Sequence, residues 1–224
     1  KRLLMNGVDV STRYAMRSRE MYQRYATYIF RVVKAKMGNY LIFFPSYRFM
    51  EDVYQEFTQL LASDEEEMEL VIQQKHMDEE ERENFLRAFE MGREKSLIGF
   101  GVLGGIFSEG IDLTNEKLIG TLIIGTGLPQ VCNEREILKS YFDQKGLYGF
   151  DYAYRYPGMN KVLQAAGRVI RTEDDRGVIL LLDERFQREK GKEIFPKEWA
   201  DCERCRLDIV EEKIRLFWEK QTDN

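Results

Sequence analysis

Residues 164–183 read QAAGRVIRTEDDRGVILLLD: a helical pattern, a short acidic turn closed by glycine, and an unbroken apolar run. This stretch decides the fold. A strand that is apolar on both faces needs cover on both faces, and that is the condition of a parallel sheet. The helix before it is expected to open at Pro157-Gly158 and to run to Thr172, since proline suits a first turn. Projected at about 100° per residue, Met159, Val162, Leu163, Ala166, Val169 and Ile170 fall on one side. Lys161, Gln164, Arg168 and Arg171 fall on the other.

That polar stripe contains no acid and ends in two guanidinium groups one turn apart. A pair at i and i+3 can converge on one anion, each arginine offering a planar fork of donors, and Gly167 removes a side chain that would obstruct close approach. A terminal phosphate is a natural ligand. The same arginines can also pair with Glu173, Asp174 and Asp175, and the pattern alone leaves both readings open.

Outward from this unit, apolar segments recur at 40–44, 69–74, 96–103 and 118–125, with helical stretches or loops between most of them. Helices are expected at 13–37, where Met16, Tyr22, Ala26, Ile29, Val33 and Met37 recur at helical spacing, and at 47–61. Alternating strands and helices of this kind predict one α/β domain with a doubly wound parallel sheet and helices on both faces. The acidic run from Asp64 to Glu69 reads as a solvated connection.

The chain has 224 residues, 43% hydrophobic and 33% charged, with a net charge of −5. Disorder and a general polyanion-coating role are excluded, while a local basic groove is not. No apolar run approaches the ~20 residues of a membrane helix, and the opening KRLLMNGVDVSTRY lacks the core of a secretion signal. A cytoplasmic protein without membrane contact is expected. Cys132, Cys202 and Cys205 are too few for a disulfide scaffold and read as reduced thiols. CERC (202–205) has the spacing of half a zinc site, but with Cys132 and His76 it makes no persuasive ligand set. It is expected to be a pair at a helix start, and no metal site is expected. His76 reads as a surface residue.

Several other segments admit a ligand beside a structural role. Ser46, after IFFP, can cap the following helix, whose free N–H groups form a phosphate site, with Tyr47 and Arg48 adjacent for stacking or charge. In SEGIDL the glycine permits a tight turn, and Asp112 can bond a ribose hydroxyl or cap local backbone. The rings of Tyr148, Phe150, Tyr152, Tyr154 and Tyr156 can form a stacking platform for unpaired bases or pack an insertion against the domain. VILLLDE mimics a magnesium-holding strand end, but no G-x-x-x-x-G-K-[ST] loop occurs in these residues, so Asp183 is read as structural.

QAAGRVIR, with the trailing GVILLLDERF, resembles motif VI of superfamily 2 helicases of the DinG/XPD-type branch. STRYAMR (11–17) is similar to the entry of that family's second motor domain, YLIFFPSYRFMEDV (40–53) to its motif IV and GVLGGIFSEGIDL (101–113) to its motif V. The resemblance implies a RecA-like (P-loop NTPase-like) fold over residues 1–224, with an aromatic-rich insertion at about 130–157. It implies that Arg168 and Arg171 act as arginine fingers on ATP with Gln164 beside them, and that Glu109, Gly110 and Asp112 touch the nucleotide. Ser46, Tyr47, Arg48 and Ser108 would lie on single-stranded DNA. ATP and Mg²⁺ would be held mainly by the N-terminal motor domain of the same polypeptide, along with any iron–sulfur cluster. On that reading the chain alone is expected not to hydrolyse ATP. The alternative is a catalytically inactive RecA-like module for nucleic-acid or protein interaction.

Overall fold

The structure, a computed structural model, describes residues 1–64, 67–90, 94–107, 118–169, 175–187 and 193–222. Its centre is a seven-stranded sheet in the order β3-β4-β2-β5-β6-β1-β7, with every pairing parallel. The strands are β1 (Arg2–Gly7), β2 (Asn39–Phe44), β3 (Met68–Ile72), β4 (Ser96–Val102), β5 (Gly120–Ile124), β6 (Gly177–Leu182) and β7 (Glu203–Cys205). The helices are α1 (Arg19–Ala35), α2 (Tyr47–Ala62), α3 (Glu79–Ala88), α4 (Asn133–Gln144), α5 (Tyr156–Ala166) and α6 (Val210–Thr222).

The two-faced strands build two cores. Tyr40, Ile42 and Phe44 of β2, with Val178, Leu180 and Leu182 of β6, pack against α1, α2 and α6. The alternate residues Leu41, Phe43, Ile179 and Leu181 pack with Phe85 of α3, Met159 and Val162 of α5, and Phe186 and Trp199. A parallel sheet covered on both faces is therefore the observed architecture, as the apolar strand pattern requires.

Three expectations are corrected. The first helix starts at Arg19, not at residue 13: Ser18 is its N-cap, accepting from Met21 N, and Tyr14–Met16 form a separate 3-10 turn. The predicted helix from Pro157 to Thr172 has its α-helical part at Tyr156–Ala166, with Gly167 as C-cap, so Arg168 lies in the turn beyond it. Residues 170–174, Arg171 among them, lie outside the described residues. CERC does not start a helix: Glu203–Cys205 form the edge strand β7, which pairs with Met5, Asn6 and Gly7. One element had no counterpart in the expectations: β1 joins the sheet between β6 and β7, although only Leu3, Leu4 and Met5 mark it as apolar.

The aromatic stretch is helical. Asp151–Arg155 form a π-helical turn that runs directly into α5. Pro157 has no amide hydrogen to give the carbonyl four residues back. That carbonyl, Ala153 O, accepts from Arg135 Nη1 of α4 at 2.7 Å.

Candidate functional site

Because every strand runs the same way, all strand exits lie along one edge of the sheet, where ligands of open α/β sheets bind. The exit of β2 is Pro45-Ser46. Ser46 is extended, and its hydroxyl accepts from Phe49 N at 3.3 Å, so it caps α2. Tyr47 is the first residue of that helix, and its phenol oxygen receives Gln73 Nε2 at 2.9 Å while donating to Gln74 O at 3.3 Å. Arg48 is 83% exposed and pairs with Asp52 one turn on, Nε to Oδ1 at 3.3 Å.

The exit of β1 runs alongside. The Arg17 guanidinium lies 5.4 Å from the centre of Phe49 and 5.6 Å from that of Tyr14, and Arg17 Nε donates to Thr12 O at 3.3 Å. Tyr14 itself is 86% exposed. Gly125, at the exit of β5, has φ +86°, and a Cβ there would sit 3.1 Å from Thr12 Oγ1. Three strand exits thus close on one another.

Beneath them Asp183, fully buried, is occupied structurally. It accepts from Thr12 N at 3.0 Å and Thr12 Oγ1 at 2.7 Å, and from Arg185 Nε and Nη2, each at 2.8 Å. Burial by itself would raise its pKa, but the bonds and charge of Arg185, with the bond from Thr12, outweigh it and hold the carboxyl below the usual value. Asp9 is held low in the same sense: burial opposes, and Tyr28, Arg24 and Leu207 N prevail.

The arginine helix spans the sheet the other way. Its start meets the exit of β5, where a Cβ on Gly127 would clash with Gly158 O at 2.5 Å. Its end meets the start of β6, where a Cβ on Gly177 would clash with Val169 at 2.2 Å. Arg168, half-buried and next to Val169, therefore stands at the opposite end of the sheet from Ser46, Tyr47 and Arg48, with exposed Gln164 one turn before it on the helix. Residues 156–169 contain no carboxylate side chain. An amide and a guanidinium are groups that suit a polyphosphate. Ser108, Glu109, Gly110, Asp112 and Arg171 lie outside the described residues.

Two residues not singled out from the sequence join the exit edge. Lys161 lies over Gly104, where an added Cβ would come within 2.9 Å of its side chain, and Gln73 is buried between three strand exits. Lys161 stands on the same polar stripe as Gln164, a usable signal; nothing in the local pattern marks Gln73.

The aromatic rings pack largely on one another. Phe142 stacks on Tyr152 with centroids 4.1 Å apart, and Phe150 on Tyr154 at 5.1 Å. Tyr154 bonds Glu136 at 2.6 Å, which pushes its phenol up to about 12. Tyr141, Tyr148 and Tyr156 remain exposed. Among the described residues no group of three His, Cys, Asp or Glu side chains could hold a metal, and no helix is long and apolar enough to cross a membrane. Cys132, Cys202 and Cys205 are free thiols, and burial pushes Cys205 up to about 12.

Residues 29–202 match the family described as the helicase C-terminal domain. The chain is 30% identical over 187 residues to the ATP-dependent DNA helicase XPD of Sulfolobus acidocaldarius, covering 81% of this chain and 31% of that protein. It is 28% identical over 196 residues to the XPD/RAD3 helicase subunit of general transcription and DNA repair factor IIH of Saccharomyces cerevisiae, covering 83% of this chain and 24% of that one. The chain thus spans less than a third of the length of either relative. Among solved structures, an apo XPD superposes with a TM-score of 0.73 at 24% identity, over 92% of this chain and 40% of that one. The C-terminal domain of the DEAD-box protein Dbp5 superposes with a TM-score of 0.52 at 16% identity, over 96% and 97% of the two chains.

Proposed function

Because the chain belongs to the helicase C-terminal domain family, we propose that it is the second motor domain of an ATP-dependent DNA helicase of XPD/DinG type. The observation that carries this reading is the family match over residues 29–202, which encloses QAAGRVIR. Two sites follow. Gln164, Arg168 and Arg171 face the polyphosphate of ATP, together with Glu109, Gly110 and Asp112. Ser46, Tyr47, Arg48 and Ser108 track the backbone of single-stranded DNA.

ATP supplies the phosphoryl group whose transfer drives the motor. The part of this chain is electrostatic: guanidinium donors meet negative charge as it spreads over the phosphate oxygens. The N-terminal motor domain of the same polypeptide holds most of the nucleotide and Mg²⁺. The 224 residues contain no phosphate-cradling G-x-x-x-x-G-K-[ST] loop, so the chain alone does not hydrolyse ATP.

The test uses the two-domain protein. Arg171→Ala should reduce ATP turnover by about 10³-fold or more, the worth of an arginine finger, with ATP affinity nearly unchanged in equilibrium binding. Turnover equal to wild type would remove Arg171 from catalysis, and absence of turnover in the wild-type two-domain protein would favour an inactive interaction module.

A further inference from the structure

Gln73 follows β3 directly and is 3% exposed. Its Oε1 accepts from the backbone N–H of Val102 at 2.9 Å, at the end of β4. Its Nε2 donates to the Tyr47 phenol oxygen at 2.9 Å, in the first turn of α2. Tyr47 in turn donates to Gln74 O at 3.3 Å, and Gln73 N donates to Phe100 O at 2.8 Å. The side chain therefore ties together the exits of β2, β3 and β4.

The site is shaped for this amide. A Cβ at Gly105 would lie 3.0 Å from Gln73 Nε2, and one at Gly101 would lie 3.3 Å from its Oε1. The position needs an acceptor for Val102 and a donor for Tyr47 at the end of a two-methylene stem. An ionised glutamate donates nothing, asparagine is a methylene short, and methionine supplies no donor. A second tie reinforces the first, since Leu103 N donates to Phe44 O at 2.8 Å. Farther along the β4 exit Phe107 is anchored, its ring stacked 4.0 Å from that of Phe85.

We propose that Gln73 is a positioning residue that locks the Tyr47 ring to the exit of β4, so that a strand engaged at Ser46–Arg48 is sensed by the segment leaving β4. This rests on the reading of Ser46–Arg48 as a DNA contact. The first turn of α2 cannot shift without pulling on the Val102 amide through one buried side chain, and buried hydrogen bonds of this kind are stiff. The segment so held continues into residues 108–113, where the nucleotide contacts are proposed.

The test is hydrogen exchange on the full-length protein with and without an oligothymidylate, comparing wild type, Gln73→Met and Tyr47→Phe. In wild type the oligonucleotide should slow exchange over both 46–50 and 102–107. In each variant it should slow exchange only over 46–50, and the double variant should behave like either single one. DNA-free ATP hydrolysis should be unchanged in Gln73→Met. Should that variant fail to fold, Tyr47→Phe removes the same link from the other side. Protection at 102–107 that persists in Tyr47→Phe, or a double variant that loses more than either single one, overturns the proposal. Absence of protection at 46–50 in wild type overturns the DNA-contact reading, and the proposal with it.

Discussion

At the scale of single residues, polar groups buried at strand exits fix the geometry of the site. Asp183 holds Thr12 and Arg185 in one cluster. Asp183→Asn should destabilise the fold by about 2 kcal/mol, the range of hydrogen bonds to a charged group, as read by urea unfolding at pH 7. The effect should depend on pH in a defined direction. The carboxyl is held below its usual value, so its contribution is complete above the unfolded pKa of about 3.9 and is lost as pH falls through the lower folded value. Unfolding curves of wild type and variant should therefore converge in acid, and a constant gap down to pH 2 would contradict the assignment. Asp183 could be read as structural from the sequence because no phosphate loop accompanied it. Gln73 could not: its partners at 47 and 102 are far away in the chain, and no local periodicity encodes a long-range hydrogen bond.

At the scale of elements, helix starts carry both stability and the proposed DNA contact, and the two can be separated. Ser46 caps α2, and Asp78 caps α3 in a capping box with Glu81. Either Ser46→Ala or Asp78→Ala should cost about 1 kcal/mol of stability. In the two-domain protein only Ser46→Ala should also weaken binding of a fluorescent oligothymidylate. Equal DNA affinity in the two variants would reduce Ser46 to a cap alone. Elements with a strong period were legible: β2, β4, β5 and β6 are apolar runs, and the interior of α1 repeats at helical spacing. The weakly patterned ones were not. Edge strand β7 carries exposed Glu203 and Arg204, and β1 hides its role behind Arg2 and a buried Asn6. The alternating aromatics at 148–156 mimic a strand, yet their rings pack on one another along a helical run.

At the scale of the whole molecule, the sheet separates Arg168 from Ser46–Arg48 by one strand length. With strands of five to seven residues across its middle and about 3.3 Å of rise per residue, that is a rigid spacer of about 20 Å. The spacer depends on its least conspicuous strand. Deleting residues 1–7 would unpair β6 from β1 and remove the strand with which β7 pairs. The truncated chain should lose its cooperative thermal transition by circular dichroism, and a sharp transition close to that of wild type would show that β1 is dispensable.

The same strand constrains how the protein is made. Arg2 pairs with Gly177 and Met5 with Glu203, so β1 leaves the ribosome long before its two neighbours, β6 and β7. Until then its backbone amides lack their sheet partners. Ribosome-bound intermediates carry β1 as an open β-edge until β6 and β7 emerge, which makes the nascent protein a natural client for chaperones that shield such edges.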